Sequence, residues 1–279
     1  MVSCEQARNL LLEQQPLPGL KYGKTVEKKL ASEVKESVAE TAHQITVRIF
    51  TNRGAGSGVI IDHQGKTYTV LTNDHVVNGS RDNHYTVLTA DAQSHAARRK
   101  TLPNLSGIDL GLVEFESEIV YEVAVLRNSE ITIGEKVYAA GFPNYSYNDQ
   151  GFRETFDWGL RAFKLTTGTL EMLMSEISLL QGYKMGYTND VELGMSGGPV
   201  LDHKGQVIGI NGRTKKPFQG IEVFQLTDGN YPNPELFKKM DALSWAIPIN
   251  IFLQRTDTSV IFTEEQTQSV YLPKVPNNI

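Results

Sequence analysis

The chain is poor in several things that would otherwise decide its class. Of its 279 residues only one is cysteine and two are tryptophan. A single cysteine makes no internal disulfide and cannot supply the Cys/His cluster of a structural zinc site, so the fold must hold by packing. No stretch reaches the roughly 18 to 20 uninterrupted apolar residues of a membrane span, and none is predicted. Cationic excess is also missing. Lys and Arg total 27 against 32 Asp and Glu, a formal net charge of −5, so no basic face is expected for a nucleic acid. Repeats of short period and low-complexity tracts are absent. The opening Met1-Val2-Ser3-Cys4-Glu5 has no positive region followed by an apolar run, so no signal peptide is predicted in this chain. Val2-Ser3-Cys4 would suit a lipoprotein cleavage site, but the hydrophobic segment that should precede it is lacking. An ordinary exposed cysteine is the simpler reading.

What is present is ordinary for a globular protein: 40% hydrophobic and 21% charged residues, enough to bury a core of one large or two modest domains. Residues 5–15 read as a helix closed by Pro16 and Pro18. A second helical pattern places Val26, Leu30, Val34 and Val38 on one face. It would lie on the body of the protein or form an oligomer contact. From Gln44 the texture changes to short β-rich runs such as Ile45-Thr46-Val47-Arg48-Ile49-Phe50 and Val207-Ile208-Gly209-Ile210. Turn signals such as Asn78-Gly79 and Asp202-His203-Lys204-Gly205 separate them. Many short strands at this spacing predict an all-β sandwich or barrel rather than alternating β/α units. Residues 213–242 read as a polar, turn-rich insertion, and 257–279 as a weakly structured tail.

Three segments carry chemistry. A strand runs into His75 in Leu71-Thr72-Asn73-Asp74-His75; Asp109 stands at the mouth of the apolar run Leu110-Gly111-Leu112-Val113; Ser196 sits inside Gly194-Met195-Ser196-Gly197-Gly198-Pro199. A serine hydroxyl attacks well only when a base removes its proton. The flanking glycines let the backbone fold tightly, so that the amides of Gly194 and Ser196 can form an oxyanion hole, where one lost donor typically costs about 2.7–4 kcal/mol. His75 would take and return the proton near neutrality. Asp109 would hold the other ring nitrogen and stabilise the imidazolium. Asp74, next to the histidine, should point away from it, so Asp109 is preferred as the acid.

Together with Gly56-Ser57-Gly58-Val59 and Ala246-Ile247-Pro248-Ile249-Asn250, these segments resemble the chymotrypsin-fold serine proteases, the HtrA/Deg-type bacterial branch in particular. The order His, Asp, Ser agrees with that family and not with the subtilisin or α/β-hydrolase orders. The resemblance covers about 46–255. It implies two packed six-stranded antiparallel β-barrels, preceded here by N-terminal helices, with the site between the barrels. The expected organisation is a helical extension at 1–44, a protease domain at 45–256 (barrels at about 45–128 and 129–256), and a tail at 257–279. The implied activity is that of a serine endopeptidase acting on polypeptides through an acyl-enzyme, without metal or cofactor, as a monomer or small homo-oligomer. It also points to an extracytoplasmic setting, periplasmic or secreted. Met195 stands where the family usually carries Asn or Asp, so zymogen activation by pairing with a new N-terminus is not expected. After Arg255 too few residues remain for a PDZ domain.

By the same resemblance Asp190, six before the serine, would sit at the base of the S1 pocket and attract Lys or Arg. Ile210, Asn211 and Gly212 would line one wall, the glycine leaving room for substrate backbone. The rival readings are a catalytically silent member used as a binding module and a protease held inactive until a partner binds. Gly54-Ala55-Gly56-Ser57-Gly58 precedes a strand instead of a helix and is not read as a phosphate loop. The other histidines show no metal-ligand spacing.

Overall fold

A computed structural model describes residues 22–80, 83–148 and 151–256. The expected helix at 5–15, Cys4 and the tail after residue 256 lie outside the described residues. The chain divides into two compact units after Glu36. The first described element, α1 (Tyr22–Ile45), runs across that division. Within the second unit its last turns bury Val38, Ala42 and Ile45. There the His43 ring meets Phe163 edge-on at 5.1 Å.

β1 (Thr46–Thr51), β2 (Gly54–Gln64), β3 (Thr67–Thr72), β4 (His84–Leu88), β5 (Ser94–Lys100) and β6 (Gly111–Glu116) close a barrel in the order β1-β2-β3-β6-β5-β4. A short helix, α2 (Asp74–Val77), follows β3. The second barrel uses β7 (Lys136–Gly141), β10 (Lys164–Leu173), β11 (Met185–Tyr187), β12 (Pro199–Leu201), β13 (Val207–Arg213) and β14 (Ser244–Pro248). Its cyclic order, β7-β10-β11-β14-β13-β12, repeats that of the first barrel strand for strand. A hairpin of β8 (Tyr145–Asn148) and β9 (Gly151–Glu154) is inserted between its first and second strands. The all-β, two-barrel architecture implied by the resemblance is the one observed. Residues 213–242 also carry a helix, α3 (Pro234–Asp241), started by Asn233, whose side chain accepts from Leu236 N at 2.9 Å, and by Pro234 at the first helical position. Last comes α4 (Ile249–Arg255). Among the described residues no helix is long and apolar enough to cross a membrane.

Period-two alternation puts Val47 and Ile49 into the first core with Ile60, Tyr68, Val70, Val87 and Phe115. Fully burying each such side chain is worth about 1.5–3 kcal/mol. The second core gathers Val137, Leu170, Met185, Tyr187, Val200 and Ile208. Thr46 and Arg48, on the other face of β1, are buried as well, and Arg48 meets the segment that links β7 to β10. Arg48 donates to the Thr155 carbonyl at 2.7 Å and to its hydroxyl at 2.9 Å.

Candidate active site

The barrel topology explains why His75 and Asp109 meet. β3 and β6 are neighbours, with Thr72 opposite Gly111, so the residues leaving the end of one strand face those entering the other. His75 lies on α2 rather than at a strand end as its sequence context predicts. Asn73 takes the cap position and uses its amide to hold the Asp109 carbonyl at 2.8 Å. Asp109 then accepts from the His75 backbone N–H at 2.9 Å through Oδ1, and its Oδ2 lies 2.7 Å from the imidazole Nδ1. A third donor, missed by sequence reasoning, is the hydroxyl of Tyr183 from the second barrel, 2.5 Å from the same Oδ2. Burial works against ionisation of Asp109. Hydrogen bonds from the His75 ring and Tyr183, together with the imidazole charge, more than offset it and hold the carboxyl below its usual range. The His75 side chain is half exposed. Asp74 points away, paired with Arg99 and accepting from Asn78 at 3.0 Å.

Ser196 comes from the turn ahead of β12. Gly194 has φ +100° and Gly197 φ +87°, a left-handed backbone that favours glycine. Space is short too: a Cβ on Gly197 would overlap the Ser57 carbonyl and the Thr72 hydroxyl. Ser57 of β2 pins this turn to the first barrel. Its N–H donates to the Ser196 carbonyl at 2.8 Å, and its hydroxyl donates to the Gly194 carbonyl at 2.8 Å while accepting from Phe142 N at 2.8 Å. The Leu193 carbonyl accepts from Asn144 N at 2.8 Å, and the Met195 carbonyl from Gly198 N at 3.0 Å. In a trans peptide the N–H points opposite to its carbonyl, so the amides of Gly194 and Ser196 are turned away from both partners. Among the described residues neither amide donates a hydrogen bond. The Ser196 hydroxyl rests 3.5 Å from the Gly212 carbonyl, and among the described residues no hydrogen bond joins it to His75. Met195 is fully buried in the second core.

The other predicted positions are Asp190, Ile210, Asn211 and Gly212. Asp190 is not enclosed: its side chain is 79% exposed and ion-paired with Lys215 at 2.7 Å. Lys215 holds its pKa below the usual carboxylate range. Ile210 and Asn211 are fully buried. The Asn211 amide donates to the Ala140 carbonyl at 3.1 Å, and its oxygen accepts from Tyr187. Both side chains are therefore enclosed by protein, leaving only backbone for a substrate. At Gly212 the space of a missing side chain is taken by Tyr183.

Residues 56–210 match the trypsin-like peptidase domain family. The chain belongs to that family. Among curated relatives, this trypsin-like peptidase domain is 31% identical over 163 residues to the serine protease Do-like HtrB of Bacillus subtilis, covering 56% of the chain and 32% of the relative. It is 29% identical over 179 residues to the chloroplastic protease Do-like 1 of Arabidopsis thaliana, covering 57% and 33%. The match thus spans about a third of the length of these relatives. Among solved structures, the serine endoprotease from Yersinia pestis superposes with a TM-score of 0.55 at 20% identity, over 78% of this chain and 64% of that one. At that identity the likeness speaks for the fold.

Proposed function

We propose that the trypsin-like domain is a serine endopeptidase in which Ser196 is the nucleophile, His75 the general base and then acid, and Asp109 the group that orients and stabilises the imidazolium. The observation that carries this reading is the 2.7 Å contact of His75 Nδ1 with a buried Asp109, which leaves Nε2 as the nitrogen free to serve a hydroxyl. The unengaged amides of Gly194 and Ser196 support an oxyanion hole beside that hydroxyl. Attack on a peptide carbonyl passes the serine proton to Nε2. Collapse of the tetrahedral intermediate returns the proton to the leaving amine and leaves an acyl-enzyme, which water then clears by the reverse proton path. The substrate is a polypeptide.

A preference for Lys or Arg at P1 would draw on Asp190. Because Lys215 already neutralises that carboxylate, the preference is weak and Asp190→Asn changes it little. Profiling cleavage of a peptide library by the full chain tests activity and preference together. Ser196→Ala should lower turnover by about 10⁴ to 10⁶ while leaving the fold intact; an unchanged rate contradicts the assignment.

One observation favours a partner-gated form: the Ser196 hydroxyl lies against the Gly212 carbonyl rather than the imidazole. Turnover that appears only on addition of a second component would support gating.

A further inference from the structure

The proposed endopeptidase reading leaves Asp109 with one donor too many, and a role for that donor in turnover depends on the same reading. An orienting carboxylate needs the imidazole and its own backbone anchors. The extra donor comes from the barrel that also carries Ser196. We infer that Tyr183 is a positioning residue of the site, its phenol hydroxyl fixing the Asp109 oxygen that faces the imidazole and so registering the His75–Asp109 pair against the barrel that bears the nucleophile.

Four observations converge on this. First, Tyr183 is itself held rigidly. Its side chain is 1% exposed, and the Arg213 guanidinium lies over its ring 4.1 Å from the centroid. Arg213 is tethered in turn by the carbonyls of Val223 and, at 3.2 Å, Leu180. Second, the turn that delivers Tyr183 grips Asp109 as well: the Gln181 carbonyl accepts from Asp109 N at 3.0 Å. Gln181 adopts a left-handed φ of +69° at that carbonyl, a conformation disfavoured for a residue with a side chain. Third, position 212 is kept bare for the hydroxyl, since any Cβ there would overlap the Tyr183 oxygen and ring edge. Fourth, the chemistry is one-directional. Burial, then the neighbouring Asp109 charge, push the phenol pKa well up, so it stays a neutral donor and cannot compete for the imidazole proton.

A purely structural role makes a different prediction. Packing needs the ring, whereas positioning needs the hydroxyl. Tyr183→Phe in the full chain removes only the latter. Hydrogen bonds to charged groups are stronger than those between neutral ones. With the best peptide from the library as substrate, kcat should therefore fall about tenfold or more, KM should stay within about twofold, and the melting curve should remain cooperative. A kcat equal to that of the parent protein overturns the inference. A second pair of variants asks whether the hydroxyl can be supplied from the bare position. Tyr183→Ala combined with Gly212→Ser should turn over faster than Tyr183→Ala alone; no gain assigns Tyr183 to packing. The parent chain and Ser196→Ala are run alongside. If the parent shows no Ser196-dependent hydrolysis, the endopeptidase reading itself fails and takes the inference with it. If it does, and Tyr183→Phe is indifferent, only the inference fails.

Discussion

Ser57 does more for the site than its position in a β-strand indicates. Its hydroxyl is shared between Phe142 N and the Gly194 carbonyl, both at 2.8 Å, and all three groups are buried. Ser57→Ala strands a donor and an acceptor away from water, at about 1–3 kcal/mol for each unsatisfied group. The midpoint of urea unfolding should fall correspondingly, and turnover should drop because the turn holding Ser196 loses its anchor. Asp109 gives a pH-dependent prediction. Its folded pKa lies below the usual value, which is about 3.9 in an unfolded chain. The stabilisation is thus fully present above that value and is lost as pH falls through the folded one. Between pH 5 and 2 the parent protein should lose more stability than Asp109→Asn, as read by denaturant titration at each pH; parallel curves contradict it. His75, Asp109 and Ser196 stood out as candidates because each lies in a local context suited to its proposed chemistry, and the structure brings the first two into contact. Tyr183 did not stand out, since its partner lies 74 residues away. Nor did the pairing of Asp190 with Lys215, because an ion pair across a loop leaves no periodic trace.

At the level of elements, strands were easier to read than the pieces between them. β-branched alternation marked β1, β3 and β13, whereas α2 is only four residues long, too short for any helical period to appear. Its cap, Asn73, was the available signal. The helix pattern ending near residue 44 corresponds to α1, with Val38 buried and Val34 half-buried. The last turns of α1 are integral to the second unit, where Ala42 is fully buried. Ala42→Asp would place a carboxylate at a fully buried position, and should destabilise that unit by several kcal/mol. A thermal melt unchanged from the parent would show that these turns are dispensable. The turn around Ser196 is stricter still. Gly197→Ala adds a methyl group where the backbone is left-handed and two oxygens already stand, so the variant should lose turnover even if it folds.

At the largest scale the second unit is one barrel topology used twice, with the candidate site at the seam between the barrels. The first barrel contributes His75 and Asp109, the second Ser196 and Tyr183, and Ser57 and Arg48 hold the halves together through short hydrogen bonds. Arg48 is fully buried with Phe50, Phe142 and Phe156 around its guanidinium at 5.0, 6.0 and 5.6 Å. Arg48→Lys keeps the charge but loses the planar fork that reaches both oxygens of Thr155. It should cost about 1–3 kcal/mol in denaturant unfolding. Strand spacing alone predicted a sandwich or barrel, and the two-barrel plan came from the family resemblance of the motifs. The seam was not legible, because its contacts join residues about a hundred positions apart. The most direct measurement of the central claim, that an imidazole of one barrel activates a hydroxyl of the other, is covalent labelling of the full chain with a fluorophosphonate, with the adduct located by mass spectrometry. The predicted result is a single adduct on Ser196 that is lost in His75→Ala; no adduct, or one on another residue, contradicts it.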